Sequence, residues 1–281
     1  MNNLSKLEIM QSFLTKLWQT FLSIIKILLQ SKRIDKPLET DEHEAIVILG
    51  NGPSLRPLIE QKNYFLEDKA LLAVNYAVLS AYYTELKPHY YLVADPAFFL
   101  NSDHCDKLFD AMAMKTTWDI ELHLSVKARK SNTWQSKLAS NPYIHIHYFN
   151  VTPVEGFTCF MHLAFRKGWG TPRPRNVLIP SIMVALKMPF HTIYIAGADH
   201  SWLKEIWVND DNVVIEDLNH FYDKKGSERF VSDKHLHDLL LSMYVAFKSY
   251  HIIEAYTRSI GKKIYNVTEG SFIDAFDRKK I

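Results

Sequence analysis

The sequence has little cysteine: Cys105 and Cys159 are the two in 281 residues. Two thiols cannot build the disulfide framework of a small secreted domain or a multi-cysteine zinc site. A reducing, cytoplasmic setting fits best. An excess of charge is also missing. Lys and Arg number 33 against 31 Asp and Glu, a formal net charge of +2. That excludes a strongly basic nucleic-acid binder and an acidic solvating tail, so no nucleic-acid partner is expected. There is no collagen, coiled-coil or solenoid repeat and no low-complexity tract. The apolar first thirty residues contain no charge-free run near the roughly 18 residues that mark a membrane span, because Lys6, Glu8, Lys16 and Lys26 interrupt them. The same lysines break the clean stretch a secretory signal needs, and no small-residue cleavage site follows.

Chemical motifs are sparse as well. The 13 histidines form no His-x-x-x-His, and the two cysteines form no Cys-x-x-Cys. His235-x-His237 is a weak signal by itself. Asp210-Asp211 is not the Asp-x-Asp with which many sugar-nucleotide enzymes hold a divalent ion. The nucleophile elbow Gly-x-Ser-x-Gly is missing too. The expectation is chemistry without a metal or a resident cofactor.

What is present is an ordinary globular composition, 47% apolar and 23% charged, long enough to bury a substantial core in one large domain or two small ones. From Ala45 short apolar runs recur: Ala45–Gly50, Ala70–Asn75, His89–Ala94, Trp118–Leu124, Tyr143–Phe149, Ile193–Gly197 and Lys263–Val267. Helical patterns lie between several of them, at Asn101–Met114, Asn176–Met188 and Lys234–Ile260. Strands alternating with helices predict an α/β fold with a mostly parallel, Rossmann-like sheet. Residues 1–44 read as an amphipathic helix and a linker, and residues 45–281 as one domain carrying a lid at about 202–232.

Within the first segment Leu7, Met10, Phe13, Leu14, Leu17, Phe21, Ile24, Ile25 and Leu28 recur at helical spacing and make one face apolar. Trp18 and the basic exit Lys32, Arg33 and Lys36 suit a helix lying in a membrane interface, peripheral on the inner face. The competing reading packs that face, over residues 4–29, on the body of the protein or on a second subunit as a homo-oligomer. The two are weighed equally. Ser31–Glu44 is polar, contains Pro37 and reads as the linker.

Ligands of parallel sheets bind beyond the carboxyl ends of the strands, so the residues after each strand are the candidates. After the first run come Gly50, Asn51, Gly52, Pro53 and Ser54. The glycines permit a tight turn and close approach to a ligand; Pro53 suits a first helical position and Ser54 a cap. Free N–H groups at a helix start attract phosphate. This is neither the Gly-x-Gly-x-x-Gly fingerprint nor a P-loop, and a plain strand-to-helix turn is the competing reading. The next runs end at Asn75 and Asp95, which can bond a ribose hydroxyl or a base, or serve as turn residues. The sixth run ends in Gly197, Asp199, His200 and Ser201. Arg173 and Arg175 precede a helix start whose amino end is already partly positive, so an anion between them would explain the pair; solvated loop arginines are equally compatible. In the lid, His220 is the best candidate for a general base, because imidazole titrates near neutral pH. Tyr222 can hold a phosphate oxygen. His235 and His237, at the start of the next helix, are rivals to His220, or surface residues.

Taken in order, Ile48–Leu55, Val74-Asn75, Val93–Phe99 and Ile193–Asp199 resemble the motifs of bacterial lipooligosaccharide sialyltransferases, glycosyltransferase family 42. They also resemble a broader group containing motility-associated glycosyltransferases and hydroxymethylpterin diphosphokinase-like proteins, to whose closing motif Lys263–Ser271 is similar. The resemblance spans roughly Ala45–Phe276. It implies a single nucleotide-binding domain of the glycosyltransferase A type that takes a CMP-activated sugar without metal, an inverting reaction in surface polysaccharide, glycolipid or glycoprotein synthesis. Its partners would be a nucleotide-sugar donor and a glycan acceptor. It also implies that Asn51–Ser54 and Asn75 touch the nucleotide, that an arginine such as Arg173 or Arg175 touches the donor, and that a lid histidine takes the acceptor's proton. His220 fits by local motif, His235 and His237 by distance to the long helix. The family's asparagine after the third strand is Asp95 here, and its Ser-Gly helix start is Asn176-Val177. Two alternatives stand beside this. A pterin diphosphokinase-like transferase would need ATP and magnesium, with Asp95 and Asp199 as ligands; a non-catalytic nucleotide-binding protein would keep the fold alone.

Overall fold

The computed structural model describes residues 6–34, 40–100, 102–218 and 228–281. In chain order the elements are helix α1 (Lys6–Gln30), strand β1 (Ala45–Leu49), α2 (Leu55–Lys62), β2 (Ala70–Val74), α3 (Tyr82–Leu86), β3 (Tyr90–Val93), α4 (Ala97–Leu100), α5 (Ser102–Lys115) and β4 (Ile120–Ser125). There follow α6 (Thr133–Leu138), β5 (Ile144–Phe149), α7 (Thr158–Lys167), α8 (Leu178–Ala185), β6 (Thr192–Ala196), β7 (Ile206–Val208), β8 (Val214–Leu218), β9 (Glu228–Val231), α9 (Leu236–Ser259), β10 (Lys263–Asn266) and β11 (Asp277–Arg278).

Eight strands form one sheet in the order β11-β10-β6-β1-β2-β3-β4-β5, and every pairing in it is parallel. The fold is α/β and Rossmann-like, as the alternation of runs predicts. The central runs Ala45–Leu49, Ala70–Val74 and Tyr90–Val93 are continuously apolar because both sheet faces are covered. Ile46, Ile48 and Leu72 point into a layer closed by α7, α8 and α9; Val47, Leu49 and Leu71 point into the layer of α2, α5 and α6. Every residue of α8 is buried, and Pro180 is tolerated there because it sits in the first turn, where its missing N–H has no partner to lose. β11 escapes sequence reading, being two polar residues long.

The described residues of the segment 202–232 include three short strands. β7, β8 and β9 pair antiparallel in a separate three-stranded sheet. Its first turn is made by side chains: Asn209 Oδ1 accepts from the amides of Asp211 and Val213 at 3.1 and 2.8 Å, and Asn212 takes φ +57°. Asp210-Asp211 is that turn. His220 and Tyr222 lie outside the described residues.

Of the two readings of helix α1, packing of its apolar face on the body is not what the structure has: most of that face is exposed. The helix docks through Thr20, Ser23 and Ser31, with Ile27 packed on the core and Phe13 beside the Phe157 ring at 5.4 Å between centroids. Ser23, 1% exposed, donates to Glu155 O and accepts from Glu155 N, both at 2.9 Å. Thr20 Oγ1 accepts the amide of Phe157 at 3.0 Å, and Ser31 Oγ reaches Thr152 Oγ1 at 2.8 Å. Beyond the helix, Lys32 exchanges backbone bonds with the Asn150 side chain. Ile9, Met10, Phe13, Leu14, Leu17, Trp18, Phe21, Ile24, Ile25, Leu28 and Leu29 are exposed, Trp18 to 60% and Leu28 to 77%. The stretch Glu8–Gln30 is long and apolar enough to cross a membrane by length and composition, its lysines notwithstanding.

Gly156 makes the docking possible: it has φ +124°, and a Cβ there would lie 2.0 Å from Thr20 Oγ1. Gly261 also has positive φ, +71°, but nothing lies within 4 Å of its Cβ position. Both Gly→Ala changes carry a conformational cost of about 1 kcal/mol; Gly156→Ala alone also collides with α1. Urea unfolding should show Gly156→Ala the more destabilised by at least ~1 kcal/mol, with faster proteolysis in residues 31–44.

Candidate active site at the β1–β6 crevice

The chain runs outward from β1 through β2 to β5, then returns to the other side of β1 with β6. The reversal puts a crevice between the loops after β1 and β6, the place where doubly wound sheets bind ligands. A pocket of about 630 Å³ opens there, within the range for small-molecule sites. The β1 loop contributes Gly50–Pro53, β2 contributes Asn75, β3 contributes Ala94–Pro96 and β6 contributes Gly197–Trp202. Lys127 and Val151, following β4 and β5, and Pro174–Leu178 at the start of α8 complete the wall together with Glu205.

The β1 loop is held by its neighbour. Gly50 N–H donates to Ala196 O at 2.8 Å and Gly52 N–H to Gly197 O at 2.9 Å. A Cβ on Gly50 would meet Gly197 O at 2.4 Å, and one on Gly52 would meet Asp199 Oδ2 at 1.9 Å. These glycines permit close approach of the β6 loop. Helix α2 begins at Leu55, so Pro53 precedes its first position and Ser54 occupies the cap position. Ser54 makes no capping bond; its hydroxyl donates to Asp199 Oδ2 at 2.8 Å. Burial raises the Asp199 carboxyl above its ordinary range, partly offset by the bonds from Ser54.

Two wall residues other than glycine take left-handed backbone, Asn75 at φ +48° and His200 at φ +52°. Such conformations cost energy and cluster at functional sites. The amide oxygens of Asn51 and Asn75 are buried without a hydrogen-bond partner among the described residues, although buried acceptors are almost always paired. His200 is buried, and desolvation lowers its pKa to about 3. Its Nε2 lies 2.6 Å from the Tyr250 hydroxyl, which donates to Asn176 Oδ1 at 3.1 Å. The Asn176 amide nitrogen also lies 3.4 Å from Nε2, so His200, Tyr250 and Asn176 close one side-chain network. Asn176 also caps α8 through the amides of Leu178 and Ile179. Trp202 packs on the His200 ring at 4.2 Å between centroids.

Of the residues singled out from sequence, Gly50, Asn51, Gly52, Pro53, Asn75, Asp95, Arg175, Gly197, Asp199 and Ser201 line one pocket. Ser54 stands behind the wall on Asp199. Asp95 also makes the turn that its sequence suggests, accepting from Ala97 N at 2.9 Å. Arg173 does not line the pocket: its Nη2 pairs with Glu155 Oε2 at 2.6 Å, so the anion it faces is the protein's own. Burial alone would raise the Glu155 carboxyl, but Arg173 holds it below its usual range. His235 is the residue before the first turn of α9, His237 lies in that turn, and both are exposed outside the pocket wall.

Sequence reasoning passed over Lys127, although the strand-end rule applied to β4 would have found it. It also passed over Asn176 as a cap, and over Tyr250, which no local signal connects to the pocket. Neither Lys127 nor Arg175 has a side-chain partner among the described residues. Among the same residues no three His, Cys, Asp or Glu side chains are grouped as a metal site.

No protein-family model matches the sequence, and no curated protein matches it. Among solved structures, the MAf glycosyltransferase from Magnetospirillum magneticum AMB-1 is similar at a TM-score of 0.51 and 12% identity, over 93% of this chain. This chain spans 38% of that protein's length. The two share a fold, and at that identity the likeness carries nothing about chemistry.

The neutral form of His200 is favoured in the folded state, so the stability it contributes is full above about pH 6.5 and is lost as pH falls toward 3. The Tm of the wild type minus that of His200→Gln should be larger at neutral pH than at about pH 4, measured calorimetrically.

Proposed function

We propose that this chain is a glycosyltransferase drawing its sugar from a nucleotide-activated donor. One observation carries the reading: a pocket at the sheet's reversal point combines two buried amide oxygens in want of donors, Asn51 and Asn75, with two exposed cations on its wall, Lys127 and Arg175. A nucleotide offers both halves, since its hydroxyl and amino groups donate and its phosphate is anionic. The fold shared with a glycosyltransferase supports the same reading.

In the proposed reaction an acceptor hydroxyl attacks the anomeric carbon as the bond from that carbon to the donor phosphate breaks. A single displacement of this kind inverts the anomeric centre. The proton of the hydroxyl passes to an imidazole, and the nucleotide leaves as an anion. Lys127 and Arg175 stabilise the charge growing on that phosphate, the electrostatic contribution that is commonly the largest in such catalysis. Those cations make a metal dispensable, and Asp199, raised by burial and occupied by Ser54, is a poor ligand for one. His220, with Tyr222 on a phosphate oxygen, is the base by its sequence context. The favoured donor is a CMP-linked acidic sugar, whose carboxylate gives the second cation a partner.

The test is a thermal-shift screen against CMP, UDP, GDP, ADP and their sugars. At about a hundredfold over Kd, a bound nucleotide should raise Tm by ~5 °C or more, and cytidine compounds should do so ahead of the others. Arg175→Ala or Lys127→Ala should weaken nucleotide binding by about tenfold or more each. Absence of any shift rejects the reading.

A second measurement concerns turnover. His220→Ala should lower kcat by about 100-fold or more with nucleotide affinity nearly unchanged, and EDTA should leave wild-type turnover intact. Undiminished turnover removes His220 as the base.

A further inference from the structure

The largest feature the pocket does not use is the outward face of α1. Here we infer that α1 lies in the plane of an anionic lipid surface and seats the protein on it. The helix meets the body through Thr20, Ser23 and the partly buried Ile27, and leaves eleven large apolar side chains between Ile9 and Leu29 exposed. An amphipathic helix in a soluble protein does the reverse. Charge selects the occupant. Lys6, Lys16, Lys32 and Arg33 are exposed on and just past the helix, against Glu8 as the one acid within it. Apolar side chains flanked by cations, with Trp18 exposed among them, are the chemistry of an anionic membrane interface. A second copy would bring the same cations against each other.

The docked half also fixes the orientation. Thr20, Ser23 and Ser31 are bonded along the body, so the helix cannot stand across a bilayer without breaking those bonds. Lys26 of α1 and Lys248 of α9 both help hold the Glu155 carboxyl below its usual range. Glu155 pairs with Arg173, two residues before the pocket residue Arg175. The lipid contact is thus joined to the pocket rim, and, on the glycosyl-transfer reading, the acceptor is one carried by the membrane.

Flotation of the full chain with vesicles tests docking without reference to activity. Wild type should float with 1:3 phosphatidylglycerol:phosphatidylethanolamine vesicles and at least tenfold less with pure phosphatidylcholine. Leu14→Glu/Phe21→Glu, at exposed positions, should lose at least tenfold of the partitioning while Tm and nucleotide binding stay at wild-type values. Alkaline carbonate should extract the bound protein. Three results overturn the inference: no flotation with either vesicle; a dimer in solution that the double variant converts to monomer without lipid; or resistance to carbonate, the mark of a spanning helix. Loss of flotation with an intact nucleotide shift, or the converse, separates failure of this inference from failure of the glycosyl-transfer reading.

Discussion

Everything at the pocket depends on two backbones touching. The loops after β1 and β6 meet at Gly50 and Gly197, where a Cβ on either residue would stand 2.4 or 2.7 Å from the other's carbonyl oxygen. Two backbone hydrogen bonds, Gly50 N–H to Ala196 O and Gly52 N–H to Gly197 O, zip the loops together. That contact places Asp199 against Gly52 and lets Ser54 reach it. The crevice beside this contact is walled in part by Asn51 and Asn75, whose amide oxygens are unsatisfied. The sheet supplies the reversal of strand order, and the glycine contact turns that reversal into a pocket of defined shape.

The parallel core was legible because strands buried on both faces must be apolar throughout, and Ala45–Leu49, Ala70–Val74 and Ile193–Ala196 are. The pocket's wall was legible for the same reason: a polar residue directly after such a run, like Asn75 or Asp95, stands out. What could not be read depends on partners distant in sequence. Arg173 looked like a ligand-binding cation until Glu155, 18 residues away, claimed it. Tyr250 reaches His200 from 50 residues away and leaves no trace in the periodicity of α9. The turn at Asn209 is built by a side chain, so it carries neither the glycine nor the proline that usually signals a hairpin.

Helix α1 shows the limit of reading amphipathicity as orientation. The periodicity correctly marked a two-sided helix, but the side that faces the body is chosen by available partners. The amides of Glu155 and Phe157 need acceptors, and Ser23 and Thr20 supply them. Covering the eleven exposed apolar side chains is worth on the order of 10 kcal/mol gross, at about 2 kcal/mol for each fully buried chain and half that here, so that face is a strong driver of association.

The seam between α1 and the loop 150–157 ties two properties together that are usually separable. A chain shortened to begin at Ala45 would shed its greasiest surface and gain solubility. It would also strip the acceptors from the amides of Glu155 and Phe157 and the two Lys32 backbone partners from the Asn150 side chain. The stretch thus loosened runs from Val151, on the pocket wall, to the residue that restrains Arg173. Trimming for convenience in handling would therefore blur the very edge of the cavity that a soluble fragment was made to study.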